Sequence, residues 1–369
     1  MYSRMSRRAL AVGAALVLAT GAAACGSDDE DSGGGGDSGG KAQKVGVLLP
    51  DTKSSVRWES FDRPLLEKAF KDAGVPVTIQ NAQGDKSTQQ QQAEQLITNG
   101  AKVLLLVNLD SGSGAAIENN AKSRDVKVID YDRLTLKGSA EYYVSFDNVA
   151  VGKLQGQGLV DCLGEKKVAN PTIAELNGSP TDNNATLFKQ GYDSVLDPMY
   201  KSGKAKKVAD QSVPDWDNQQ ALTIFEQMLQ KTNNKIDGVL AANDGLGNSV
   251  ISALKARKLE QRPVTGQDAT PEGIQNILSG DQCMTVYKAV KKEADAASKL
   301  AIALAKGEKP PAGLVNGKTD DTARKVPSVL LKPEPITKDN VKVVFDDGFL
   351  KKKEVCTGKY AALCEKAGI

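Results

Sequence analysis

The chain is 369 residues long, with 48 Lys and Arg against 46 Asp and Glu, a net charge of +2 and no histidine. Charge this balanced, with Lys and Arg scattered along the chain, leaves no electrostatic footprint for a nucleic acid. The lack of histidine removes the commonest general base and metal ligand, so neither catalysis nor a metal or other cofactor is expected.

Residues 1–25 begin with Arg4, Arg7 and Arg8, run through an apolar stretch at 9–18, and finish on small residues before Cys25. That order is a secretory signal, and its apolar run is too short to span a bilayer. The ending Gly21-Ala22-Ala23-Ala24-Cys25 resembles a bacterial lipobox, whose Cys becomes the lipid-modified first residue. It carries Ala22 where that motif usually has Leu; the alternative is an ordinary secretory signal with an incidental Cys. Residues 26–40, GSDDEDSGGGGDSGG, hold no apolar side chain to bury. They read as a flexible tether, with an acidic interaction tail as the alternative.

About 330 residues follow, enough for one large or two medium domains. The run 45–49 predicts a strand, and 61–73 carries Leu65, Leu66, Ala69 and Phe70 at helical spacing. A strand at 77–80, a helix capped by Ser87 and a strand at 103–107 come next, then a helix at 114–123 and a strand at 126–129. A second series has strands at 172–176, 208–209, 238–242, 264–265 and 284–287, with helices at 219–230 and 247–257 between them. Repeated βα units with continuous apolar strands imply parallel sheets covered by helices on both faces. Two series imply two α/β lobes, with the change-over at 143–148. Four Cys remain, an even count compatible with two disulfides in an exported chain. Cys356 and Cys364 are expected to staple the C-terminal tail. Cys162 with Cys283 is the second pair, against buried free thiols.

Almost every strand ends in a polar residue: Asp51, Asn108, the run Asp130-Tyr131-Asp132-Arg133, Asn177, Asn243-Asp244 and Gln267-Asp268. Ligands of open α/β sheets bind outside the carboxyl ends of the strands, so two facing lobes would enclose a cleft of Asp, Asn and Arg. Such groups suit a sugar, whose hydroxyls both donate and accept, while Trp58 and Trp216 offer flat faces for its C–H groups. For any one strand-end residue a helix cap is an equal reading.

The motifs RWESFDR (57–63), YDR (131–133), YYVSFDN (142–148), GSPTDNNA (178–185), VPDW ending at Trp216, NNKIDGVLAAND (233–244), GQDAT (266–270), MTVYK (284–288) and VPSVLLKP (326–333) occur in one order. Over 44–353 the chain resembles the D-xylose-binding proteins of the ribose-type sugar-binding family. The resemblance implies a two-lobed periplasmic-binding-protein fold, each lobe a parallel sheet with helices on both faces. Three hinge crossings would fall near 145–148, 285–288 and 325–328. The lobes would be 44–147 plus about 288–325 and 148–287 plus about 326–350, after a tether at 26–43 and before a tail at 351–369. Carried over by position, ligand contacts fall on Arg57, Trp58, Asp132, Arg133, Asn148, Asn183 or Asn184, Trp216, Asn243, Asp244, Asp268 and Lys288. The implied protein is a monomer that hands a monosaccharide to ABC permease and ATPase subunits from the outer face of the membrane, where Cys25 anchors it. The departures are VPDW, where a loop richer in Gly and Trp is usual, and the Cys-bearing tail. No GxSxG elbow is present, and GLVNGKT (313–319) is one residue short of a phosphate loop, which argues against an enzyme. A chemoreceptor or sensor kinase is the alternative partner.

Overall fold

The computed structural model describes residues 42–369. The signal segment, Cys25 and nearly all of the tether lie outside the described residues. Five parallel strands open the chain: β1 (Lys44–Leu49), β2 (Val77–Asn81), β3 (Ala101–Leu106), β4 (Lys127–Tyr131) and β5 (Tyr142–Phe146). Apolar residues on alternate positions point to opposite faces, as a strand buried on both sides requires. Val45, Val47 and Leu49 pack with Val103 and Leu105 against Leu66 and Phe70, while Leu48, Leu104 and Leu106 meet Ala93, Leu96 and Ile117 on the other face.

The second series comprises β6 (Thr172–Asn177), β7 (Lys206–Ser212), β8 (Gly238–Ala241) and β9 (Thr285–Tyr287). The chain then returns to the first lobe through the helix Val290–Ala305, β10 (Gly317–Asp320) and β11 (Lys325–Leu331), and goes back to the second with β12 (Glu334–Ile336). The first sheet runs β10-β11-β5-β4-β3-β1-β2, and only β10 is antiparallel. The second runs β7-β6-β8 and continues through single bridges at Val264 and Gln267 to β9 and β12. In the second lobe the helices Asn148–Glu165 and Asn183–Lys201 approach closely at Gly152 and Gly191. A Cβ on Gly152 would lie 1.9 Å from the Phe188 carbonyl oxygen.

Crossings between lobes occur at Asp147, at Lys288 and Ala289, and at Lys332 and Pro333. The third comes later than the expected 325–328, because Val329 and Leu331 pair in register with Val144 and Phe146 of β5. The first lobe therefore extends to Leu331. Residues 351–369 are no loose tail: Val355 and Cys364 are fully buried against Ile274, Ile277 and Leu278 of the second lobe. Cys356 is bonded to Cys364, and Cys162 to Cys283. One cap and one helix start differ from expectation: Asp85 rather than Ser87 caps one helix, and the next, capped by Asp110, begins at Ser111 rather than 114.

Candidate ligand-binding site

The carboxyl ends of β1, β4, β6 and β8 face one another across the gap between the lobes, and their following loops supply a shared polar cleft. From the first lobe come Ser54, Arg57, Trp58, Asp132 and Arg133; from the second Asp182, Asn184, Phe188, Trp216, Asn243, Gln267 and Asp268; Lys288 stands at the second crossing. Three of them, Asp132 (φ 63°), Trp216 (φ 55°) and Asp268 (φ 94°), are held in the left-handed backbone region, where a non-glycine residue persists only if its surroundings force it.

Arg57 is the best-anchored group. Its Nε and Nη2 donate to Asp62 at 2.9 and 2.8 Å, Nη2 also to Glu293 at 2.6 Å, and Nη1 to Asp132 at 2.8 Å. With four of five N–H groups spent, one Nη1 hydrogen is left for a ligand. Burial disfavours this charge, but Asp62, Glu293 and Asp132 outweigh it and raise the guanidinium pKa well above its ordinary value. Burial, with Asp132 and Asp62 adding repulsion, pushes the Glu293 carboxyl up to about 8 against the pull of Arg57. Burial also opposes the Asp132 carboxylate, yet Arg57, Lys288 and Arg133 hold its pKa below the usual range.

The lobes are tied across the cleft. Asn184 donates from Nδ2 to the Asp132 carbonyl at 2.9 Å and to its carboxylate at 3.2 Å, and its Oδ1 accepts from Asn148 at 2.9 Å. Arg133 Nε lies 3.2 Å from Asp182, whose same oxygen accepts from Trp216 Nε1 at 3.1 Å. Lys288 Nζ sits between Asp268 at 3.4 Å and Asp132 at 3.9 Å. Burial weakens the ammonium, and Asp268 and Asp132 more than restore it, so Lys288 stays charged. The void among these groups is about 30 Å³, room for about one water.

Some expected contacts fall elsewhere. Asp244 is fully buried inside the second lobe, where it accepts from Thr270 N at 2.7 Å and from Gln282 and Thr285 at 2.8 Å each, so its lone pairs are turned away from the cleft. Burial above all raises its carboxyl to about 7. Asn183 does not line the cleft; Asn184, one residue on along the helix, does. Asn148 stands behind Asn184 and joins it to Tyr143 and Ser145. Asn243 lines the cleft and also caps a helix, its Oδ1 accepting from Leu246 N at 2.9 Å. Trp58 is walled in by the guanidiniums of Arg57 and Arg133, 4.5 and 5.6 Å from its ring. Trp216 lies over Gly178, where a Cβ would come within 2.1 Å of the indole. Asp62, Asp182, Phe188 and Glu293 were not expected as site residues, whereas Gln267 stands with Asp268 at a polar strand end. The RWESFDR and SPTDNN stretches hold Asp62 and Asp182.

A polar cleft between two α/β lobes crossed three times defines a periplasmic binding protein. The periplasmic binding protein domain matches residues 45–309, and the chain belongs to that family. It is 39% identical over 319 residues to the D-xylose-binding periplasmic protein of Escherichia coli (strain K12), covering 85% of this chain and 93% of that one. Identity to the D-xylose-binding periplasmic protein of Haemophilus influenzae is 37% over 317 residues, covering 85% and 92%. An ABC transporter solute binding protein from Clostridium phytofermentans, solved with bound beta-D-glucose, superposes with a TM-score of 0.77 at 31% identity, covering 85% and 99%. These relatives are solute-binding proteins, and this chain is one too rather than an enzyme.

Proposed function

We propose that the chain captures a free monosaccharide, D-xylose first, between its lobes and delivers it to the permease of an ABC importer. The observation that carries this reading is the ring of Arg57, Asp132, Arg133, Asn184, Asn243, Asp268 and Lys288, drawn from both lobes and the hinge. Vicinal hydroxyls can replace the side-chain pairs that now bridge the lobes, so the closed state gains the sugar's hydrogen bonds and the sugar shifts the population toward closure. Trp216 and Phe188, 6.4 Å apart edge to face, supply an apolar wall for its C–H surface. The D-xylose-binding names of the two bacterial relatives support the pentose. A hexose is the second reading, favoured by the glucose in the Clostridium protein.

The protein acts as a monomer outside the cytoplasm, held to the membrane by lipid on Cys25, with 26–43 as its tether. Calorimetry against a panel of pentoses and hexoses tests the ligand class. Micromolar or tighter binding of D-xylose is the expected result, and no heat with any monosaccharide would refute it.

A further inference from the structure

Beside the cleft lies a second, much larger space of about 770 Å³, walled by both lobes and by the C-terminal segment. It adjoins the cleft, and Ser54, Ser55, Asn243 and Asp268 line both. Its floor is apolar. Phe61 and Phe349 stack at 4.6 Å, Tyr287 lies 5.1 Å from Phe349, and Leu65 packs with the core below. Val56, on its rim, is the exposed large aliphatic residue of the described chain at 53%. Around this floor stand Asn218, Asn248, Glu272 and Lys291, groups able to meet hydroxyls.

An apolar floor with a polar rim is what a pyranose or aromatic ring needs, and the volume falls in the range of small-molecule pockets. The cleft, by contrast, holds about 30 Å³ between paired side chains. We infer that this chamber is a second subsite, so that the protein also takes glycosides of its sugar. One ring sits in the cleft, and a second ring joined to it through a glycosidic oxygen passes between Asn243 and Asp268 into the chamber. The inference rests on the sugar-capture reading above.

The test is calorimetry on the full chain with D-xylose, a β-linked xylose disaccharide and phenyl β-D-xyloside, before and after filling the chamber with Lys68→Trp and Glu272→Trp together. Both residues line the chamber, both are exposed, and neither touches the cleft. The expected result is one-to-one binding of the glycosides by the parent, and a loss of about tenfold or more in their affinity on filling. D-xylose affinity should stay within about twofold. Binding of D-xylose without the glycosides overturns the chamber and leaves the sugar reading standing. So does filling that weakens all three alike or none. Failure of all three to bind the parent sinks the sugar reading itself.

Discussion

Replacing Asp268 by Ala strikes the cleft where lobe, hinge and lobe meet. The Asp268 carboxylate is 3.4 Å from Lys288 Nζ in the second lobe, and that of Asp132 is 3.9 Å from it in the first. Lys288 is 5% exposed, so little water reaches its ammonium in place of the lost partner. A hydrogen bond to a charged group nets about 1.5–3 kcal/mol. Asp132 still neutralises the ammonium, which keeps the expected loss near the lower part of that range. About 2 kcal/mol corresponds to about 30-fold in Kd for D-xylose. Arg133 should be unaffected, because its carboxylate partner is Asp182. Asp244→Ala is the contrast: it strips the partner from Thr270 N, Gln282 and Thr285 inside one lobe and should lower the melting temperature first. Calorimetry with thermal unfolding on the same samples separates the two. A Kd for Asp268→Ala within about threefold of the parent, with the fold intact, would refute the assignment.

Other expectations follow from the same geometry. Burial raises the Glu293 carboxyl from its ordinary 4.5 to about 8, against the pull of Arg57. Its contribution to stability is complete below 4.5 and is lost as pH rises toward 8, so Glu293→Gln should flatten the fall in melting temperature across that window. A parallel decline in variant and parent would count against it. Cys356→Ser with Cys364→Ser opens a loop of separation 8, which should cost about 2.5 kcal/mol at most and loosen the C-terminal cap, as seen by hydrogen exchange at 351–369. Cys25→Ser should release the protein from membranes; unchanged membrane association and processing would remove Cys25 as the anchor. Small-angle scattering should show a smaller radius of gyration with sugar, and an unchanged radius despite proven binding would rule out closure by hinge.

The alternation of apolar strands and amphipathic helices made the two lobes legible, and the polar strand ends located the cleft. Strand-end position does not say which way a side chain turns. Asn243 and Asp244 are neighbours at one strand end, yet one faces the cleft and the other the lobe interior. Asp51 and Asn108 likewise serve as buttresses: Asp51 accepts from Lys53 N and Ser54 N, and Asn108 donates to the Arg133 carbonyl. Asp62 and Glu293 escaped because they lie in helical segments far apart in sequence, brought together only when Val290–Ala305 packs across the first sheet. β11 was divided between lobes because VPSVLL reads equally well as a crossing or a strand; pairing with β5 decides it.

The late return of the chain to the first lobe bears on how the protein is made. Without Val290–Ala305, residues such as Val45 and Leu105 lack the cover of Ala297, Leu300 and Leu304. Without β11, the edge of β5 stays open. The second lobe in turn waits for β12 and for the disulfide-bonded segment that ends at Ile369. Neither lobe can therefore complete its core before the chain has crossed back into it, and strictly sequential, lobe-by-lobe folding during synthesis is closed to it. Topology of this kind keeps a nascent chain loose and threadable until the returning segments of both lobes have been made.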